Sequence, residues 1–201
     1  MKPKNSKSTN SKFNTSLFDY SDALVENGWL SNAKISACCH FDSRPNSSDI
    51  SLLVIHNISL PAGAFNNSHV EDFFAGCINV EQHKSFLELA NVRVSSHLFI
   101  KRSGEIVQFV GFNERAWHAG VSSFKGKEKC NDYSIGIELE GTDTTAYTDE
   151  QYTSLVKVTQ LILTSYPLIS PDRICGHSDI APGRKTDPGD SFDWNRYLNA
   201  I

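Results

Sequence analysis

The sequence predicts a single α/β (α+β) domain, a central mixed β-sheet flanked by helices. Three observations carry this. Residues 51–58 (SLLVIHNI) are a run of apolar and β-branched residues too continuous for a strand with one wet face, and read as a central strand covered on both sides. Residues 94–110 divide at Arg102-Ser103-Gly104-Glu105 into two strands of a hairpin. From Thr148 the apolar residues fall at helical spacing. Hairpin strands alternating with separated helices place all of these around one sheet. There is no internal repeat.

Taken in order, residues 1–20 read as a solvated, disordered leader rich in Lys, Asn and Ser, and residues 21–201 as the folded domain. Ser21 to Leu30 reads as a short helix ending at Gly28, and His40 to Asp49, with Pro45, as a loop. Two short helical pieces follow the buried strand, near Val70–Ala75 and Lys84–Ala90. After the hairpin, Ser134 to Leu139 alternates Ile135, Ile137 and Leu139 against Gly136, Glu138 and Glu140, a further strand. Thr148 and Gln151 make a capping box for a helix. Tyr152, Leu155, Val156, Thr159, Ile162 and Leu163 then share one face, and Pro167 stops the helix. A Pro/Gly-rich loop leads to a last helix from about Phe192 to Leu198.

Composition excludes several classes. The chain has 201 residues and a net charge of −4, from 19 Lys and Arg against 23 Asp and Glu, so a phosphate-tracking, nucleic-acid-binding surface is not expected. No apolar run approaches the roughly 20 residues of a membrane span. The leader carries Lys2, Lys4, Lys7 and Lys12 without the apolar core of a secretory signal. The five cysteines, Cys38, Cys39, Cys77, Cys130 and Cys175, are odd in number and form no CxxC pair. Adjacent Cys38 and Cys39 are poorly placed to bridge each other and read as small buried thiols, and the set as that of a cytoplasmic protein. No apolar surface stripe is evident, which suits a monomer.

Seven histidines are present, none in an HExxH pattern, so any metal site must be assembled from distant segments. His56 interrupts a strongly apolar strand just where it would leave the sheet. The stretch Cys175-Gly176-His177-Ser178-Asp179 and the following Pro182-Gly183-Arg184-Lys185-Thr186-Asp187-Pro188-Gly189 pack His, Lys, Arg and Asp among turn residues, which often position functional groups. His56, His177 and Asp187 together make an N,N,O donor set with a fourth position open, the arrangement of a catalytic zinc. His97 and His118 are rival ligands. A hydrolase also needs a carboxylate to move protons and a cation to hold the oxyanion. Glu138 and Glu140 share one strand face, where an acidic side chain is ordinarily solvated, and Lys185 lies two residues before Asp187.

The motifs VIHNISLP, RAWHAG, NDYSIGIELEGTD, AYTDEQY and GHSDIAPGRKTDPG, in this order, resemble the zinc-dependent N-acetylmuramoyl-L-alanine amidases. Within them the chain is most similar to the cytoplasmic enzymes of Gram-negative bacteria that act on 1,6-anhydro-muropeptides. The resemblance runs from about residue 23 to the C-terminus. It implies a mixed sheet with zinc at one end of the strands, held by His56, His177 and Asp187. Glu138 would be the proton acceptor and Lys185 the transition-state cation. Arg93, Trp117, Lys129 and Ala181 would lie near the substrate, although Lys129 stands where related sequences often have Arg, whose fork grips a carboxylate better. The implied substrate is an anhydro-muropeptide, cut between the lactyl group and L-alanine in cell-wall recycling and in control of β-lactamase induction. Action on intact peptidoglycan, or binding without cleavage, are the competing readings.

Overall fold

The structure, a computed structural model, describes residues 23–201; the leader assigned to residues 1–20 lies outside the described residues. Six strands form one mixed sheet: β1 (Lys34–Ile35), β2 (Leu52–Ile58), β3 (Leu98–Ile100), β4 (Ile106–Gln108), β5 (Ser134–Glu140) and β6 (Ile174–Gly176). Their spatial order is β6-β2-β5-β3-β4-β1. β6, β2, β5 and β3 run parallel, β3 and β4 are the antiparallel hairpin, and β1 pairs parallel with β4. The parallel strands therefore deliver their C-terminal ends to one edge, the usual place for a site in such sheets.

The two interior strands show why the chain folds this way. Leu53 and Ile55 of β2 and Ile135, Ile137 and Leu139 of β5 point to one face and are at most 1% exposed. Against that face packs helix α2 (Asp149–Ser165), through Tyr152, Leu155, Val158 and Ile162. Its capping box is formed, with Thr148 Oγ1 accepting from Gln151 N–H and Gln151 Oε1 accepting from Thr148 N–H, both at 3.1 Å. The other face carries Leu52, Val54 and His56 on β2, and Gly136, Glu138 and Glu140 on β5. It is covered by Ala119, Cys130, Tyr133 and Ile180, which cluster with Cys175 of β6, and, toward β3 and β4, by helix α1 (His69–Phe74). The second helical piece is a 3₁₀ segment, Lys84–Leu89. Two short helices complete the chain, α3 (His177–Ile180) and α4 (Trp194–Leu198).

Four expectations are corrected. Residues 21–30 hold no helix over the described part: Val25–Glu26 pairs antiparallel with Trp29–Leu30. Asn27 and Gly28, at φ 52° and 87°, make the tight turn that an Asn-Gly pair favours. Within the supposed loop 40–49, Phe41–Ser43 pairs with Glu114–Ala116. Every residue of β5 is buried, so Glu138 and Glu140 do not lie on a wet face. The thiols are free, but Cys39 is exposed and Cys38 only partly buried.

Candidate metal centre

The site begins with register. Glu138 of β5 is paired directly with His56 of β2, so both side chains rise from the same face at the same level. β6 lies on the other side of β2 with Gly176 opposite Ile55, and the next residue, His177, opens α3. The 185–189 segment folds back over these strand ends. Ser178 N–H donates to the Asp187 carbonyl at 3.0 Å, and Asn57 Nδ2 donates to the Pro188 carbonyl at 3.0 Å and to Asp143 Oδ1 at 2.8 Å. Thr186 Oγ1 donates to the other Asp143 oxygen at 2.5 Å. Asp143 thus ties strand end and loop together.

These constraints converge three side chains. His56 Nδ1 lies 3.0 Å from His177 Nδ1, and Asp187 Oδ2 lies 2.9 Å from the first and 3.0 Å from the second. Two nitrogens that both carry lone pairs gain nothing from each other at that distance unless a cation or a proton is shared. The two imidazoles are 1% and 3% exposed, so water does not relieve them. Burial pushes His56 down to about 4, with Asp187 opposing, which keeps the ring neutral and able to ligate. Burial alone would raise Asp187, but the His177 and His56 ring nitrogens close to its Oδ2 outweigh this and hold its carboxyl well below the usual range. Two imidazole nitrogens and a carboxylate oxygen, converging at these distances, fit a divalent zinc-type ion.

His97 and His118 are not in this donor set. Neutral His97 is satisfied internally: Nδ1 accepts from Gly136 N–H at 3.0 Å and Nε2 donates to the Glu114 carbonyl at 3.1 Å. His118 stands behind His56, its Nδ1 2.9 Å from His56 Nε2. The structure also separates the two glutamates. Glu140 Oε1 accepts from Asn66 N–H at 2.6 Å and Oε2 from Arg102 N–H at 2.9 Å, so it anchors two loops. Glu138 Oε2 is buried with no partner. Burial, then the negative charge of Asp187, raises the Glu138 carboxyl well above 4.5, while Lys185 opposes. Lys185 is exposed and lines a cleft of about 470 Å³ with Asn57, Asp143, Thr186 and Asp187.

The four expected substrate residues divide into two groups. Lys129 and Ala181 line one cavity of about 570 Å³, together with Arg184. Arg93 is exposed on a separate cavity of about 320 Å³ beside His40. Trp117 is stacked on His40 with ring centres 6.2 Å apart, and its Nε1 donates to Asp42 Oδ1 at 3.1 Å. Asn57, Asp143 and Asn131 were not singled out from the sequence. Only the position of Asn57, directly after His56 at a strand end, carried a signal.

The sequence profile of the N-acetylmuramoyl-L-alanine amidases matches residues 46–190, a span that includes every residue of the centre. The chain belongs to this amidase family. It is 54% identical over 177 residues to the 1,6-anhydro-N-acetylmuramyl-L-alanine amidase AmpD of Haemophilus influenzae, covering 88% of this chain and 96% of that protein. It is 53% identical to AmpD of Escherichia coli, covering 87% and 94%. A crystal structure of an AmpD selenomethionine derivative superposes with a TM-score of 0.86 at 53% identity, over 89% of this chain and 99% of that one. Escherichia coli AmiD, solved with anhydro-N-acetylmuramic acid-L-Ala-D-γ-Glu-L-Lys, gives 0.56 at 28% identity, over 89% and 65%. The mixed sheet flanked by helices is thus an amidase fold, and the chain is an amidase of this family.

Proposed function

We propose that this amidase is zinc-dependent and cleaves the amide between the lactyl group of 1,6-anhydro-N-acetylmuramic acid and L-alanine, serving cytoplasmic recycling of muropeptides and so the control of β-lactamase induction. The observation that carries this is the convergence of His56 Nδ1, His177 Nδ1 and Asp187 Oδ2 beside a buried carboxyl oxygen with no partner. The AmpD relatives, named for that bond, support the substrate. Five free cysteines and the absence, among the described residues, of a helix long and apolar enough to cross a membrane agree with the compartment. We take the working unit as a monomer, with no nucleic-acid or membrane partner.

Zinc held by His56, His177 and Asp187 supplies Lewis-acid polarisation of a carbonyl and acidification of water. The rest falls to the chain. Glu138, whose buried carboxyl holds a proton more tightly than an ordinary carboxylate, takes a proton at Oε2 from the attacking water and returns it to the leaving L-alanine nitrogen. Lys185, free on the cleft wall beside Asp187, donates to the oxygen that gains charge. Arg93, Trp117, Lys129 and Ala181 would hold the sugar and the stem peptide.

Mass spectrometry of anhydro-muropeptide incubated with the enzyme should show the free stem peptide, lost on chelation and restored by zinc. Activity that survives complete metal removal overturns the metal assignment. Faster release from intact sacculi than from anhydro-muropeptide overturns the substrate assignment, and unaltered substrate overturns cleavage itself.

A further inference from the structure

Both imidazoles of the metal centre lean on one dipeptide, His118-Ala119. His118 Nδ1 lies 2.9 Å from His56 Nε2, and the Ala119 carbonyl accepts from His177 Nε2 at 3.0 Å. The dipeptide is in turn held from three directions. Asn131 Oδ1 accepts from the backbone N–H of both His118 and Ala119, at 3.1 and 2.8 Å. Ser134 Oγ is 3.1 Å from His118 Nε2. Arg184 Nη2 donates to the carbonyls of Ala119 and Val121, at 2.8 and 2.6 Å. The His118 ring fits only because residue 136 of β5 is glycine: a Cβ there would stand 2.6 Å from His118 Cγ.

A neutral imidazole has one N–H, and a metal takes the other nitrogen. A carbonyl only accepts, so the Ala119 oxygen requires the His177 proton on Nε2 and frees Nδ1, the atom that faces Asp187. His118 does the same for His56 when its own Nε2–H donates to Ser134 Oγ, because its Nδ1 then accepts from His56 Nε2–H. Resting on the reading of His56, His177 and Asp187 as zinc ligands, we propose that His118-Ala119, clamped by Asn131, is a bracket that fixes both ligand histidines in the Nε2–H tautomer. Asn131 touches neither histidine ligand nor Asp187. It is a positioning residue that acts by holding two backbone N–H groups in place.

The test is zinc affinity by chelator competition on the intact chain, with imidazole ¹⁵N shifts as the tautomer readout. Removing an outer partner of a metal ligand costs about 10–100-fold in affinity. Asn131→Ala and His118→Phe should each lose affinity in that range while keeping the far-ultraviolet spectrum, and Asn131→Asp, which keeps the acceptor oxygen, should recover most of it. In the zinc-loaded unaltered protein both ligand histidines should carry their proton on Nε2. A proton on Nδ1 of either, or undiminished affinity in Asn131→Ala and His118→Phe, overturns the bracket; the shift readout needs no variant, so a variant that misfolds leaves it decidable. If instead the unaltered protein takes up no stoichiometric zinc, or His56→Ala leaves uptake intact, the metal reading itself has failed.

Discussion

Acidification of the metal-free protein is a direct probe of its buried centre. Burial holds His56 down to about 4, and burial with Arg44 nearby holds His97 well below 6.5. His118 moves the same way through burial and its neighbours His56 and His97. Below pH 6.5 the unfolded chain protonates these rings and the folded chain does not. The unfolded state then binds more protons, so stability is lost as pH falls. Glu138 works in the opposite sense. Its raised folded value means that the folded chain binds the extra proton above pH 4.5, so acidification stabilises through this residue.

Between pH 6 and 5 the balance is two or three protons lost against one gained, a net of one to two. At about 1.36 kcal/mol per proton per pH unit, stability should drop by roughly 1–3 kcal/mol per unit. Asp187, depressed in the fold, adds its own loss only as pH approaches and passes below 3.8, outside this window. Urea melts of the chelator-treated protein at half-unit steps from pH 6.5 to 5 measure the slope. Glu138→Gln removes the opposing proton and should steepen it by roughly 1 kcal/mol per unit. A midpoint that is flat or rises on acidification, or a slope made shallower by Glu138→Gln, would refute the assignment of neutral buried histidines beside a protonated glutamic acid.

The remaining expectations concern single contacts. Glu138→Gln should lower kcat by about 10²–10⁴-fold with zinc content unchanged, measured by steady-state release of stem peptide and metal analysis. Gly136→Ala should destabilise by about 1–3 kcal/mol in urea, because its Cβ would stand 2.6 Å from a His118 ring held on both sides. Thr148→Ala should cost about 1 kcal/mol, a Tm decrease of about 2–4 °C, through loss of the helix cap, without touching kcat.

What could be read along the chain was what depends on neighbouring residues. The continuous apolar run 51–58 announced a strand covered on both sides, and Thr148 with Gln151 announced where α2 starts. His56 was conspicuous because a histidine breaks that run, and His177 and Asp187 because turn residues surround them. What could not be read depends on partners far away in sequence. Glu138 and Glu140 look equivalent in a strand of period two. They differ only because Asn66 and Arg102, brought in from two separate loops, occupy the carboxylate of Glu140. His118 looked like a rival ligand because nothing local shows that β5 leaves a glycine-floored space behind His56. The Asn27-Gly28 pair between apolar residues is itself a turn signal, which the reading of residues 21–30 as a helix passes over.

The division between the two glutamates also says how one strand serves stability and chemistry together. A buried carboxylate accepting two backbone N–H bonds is held firmly, and Glu140 uses this to fasten the 66 and 102 loops to the end of β5. A buried carboxyl oxygen without a partner is destabilising, by about 1–3 kcal/mol or more. Glu138 carries that cost one step earlier on the same face, level with His56. Saturating Glu138 in the same manner would stabilise the fold and lower its affinity for a proton toward that of an ordinary carboxylate, removing the base. The strand can leave one oxygen unsatisfied because its other neighbours are strongly tied: seven paired residues to β2, Glu140 to the loops, and Ile135, Ile137 and Leu139 to α2.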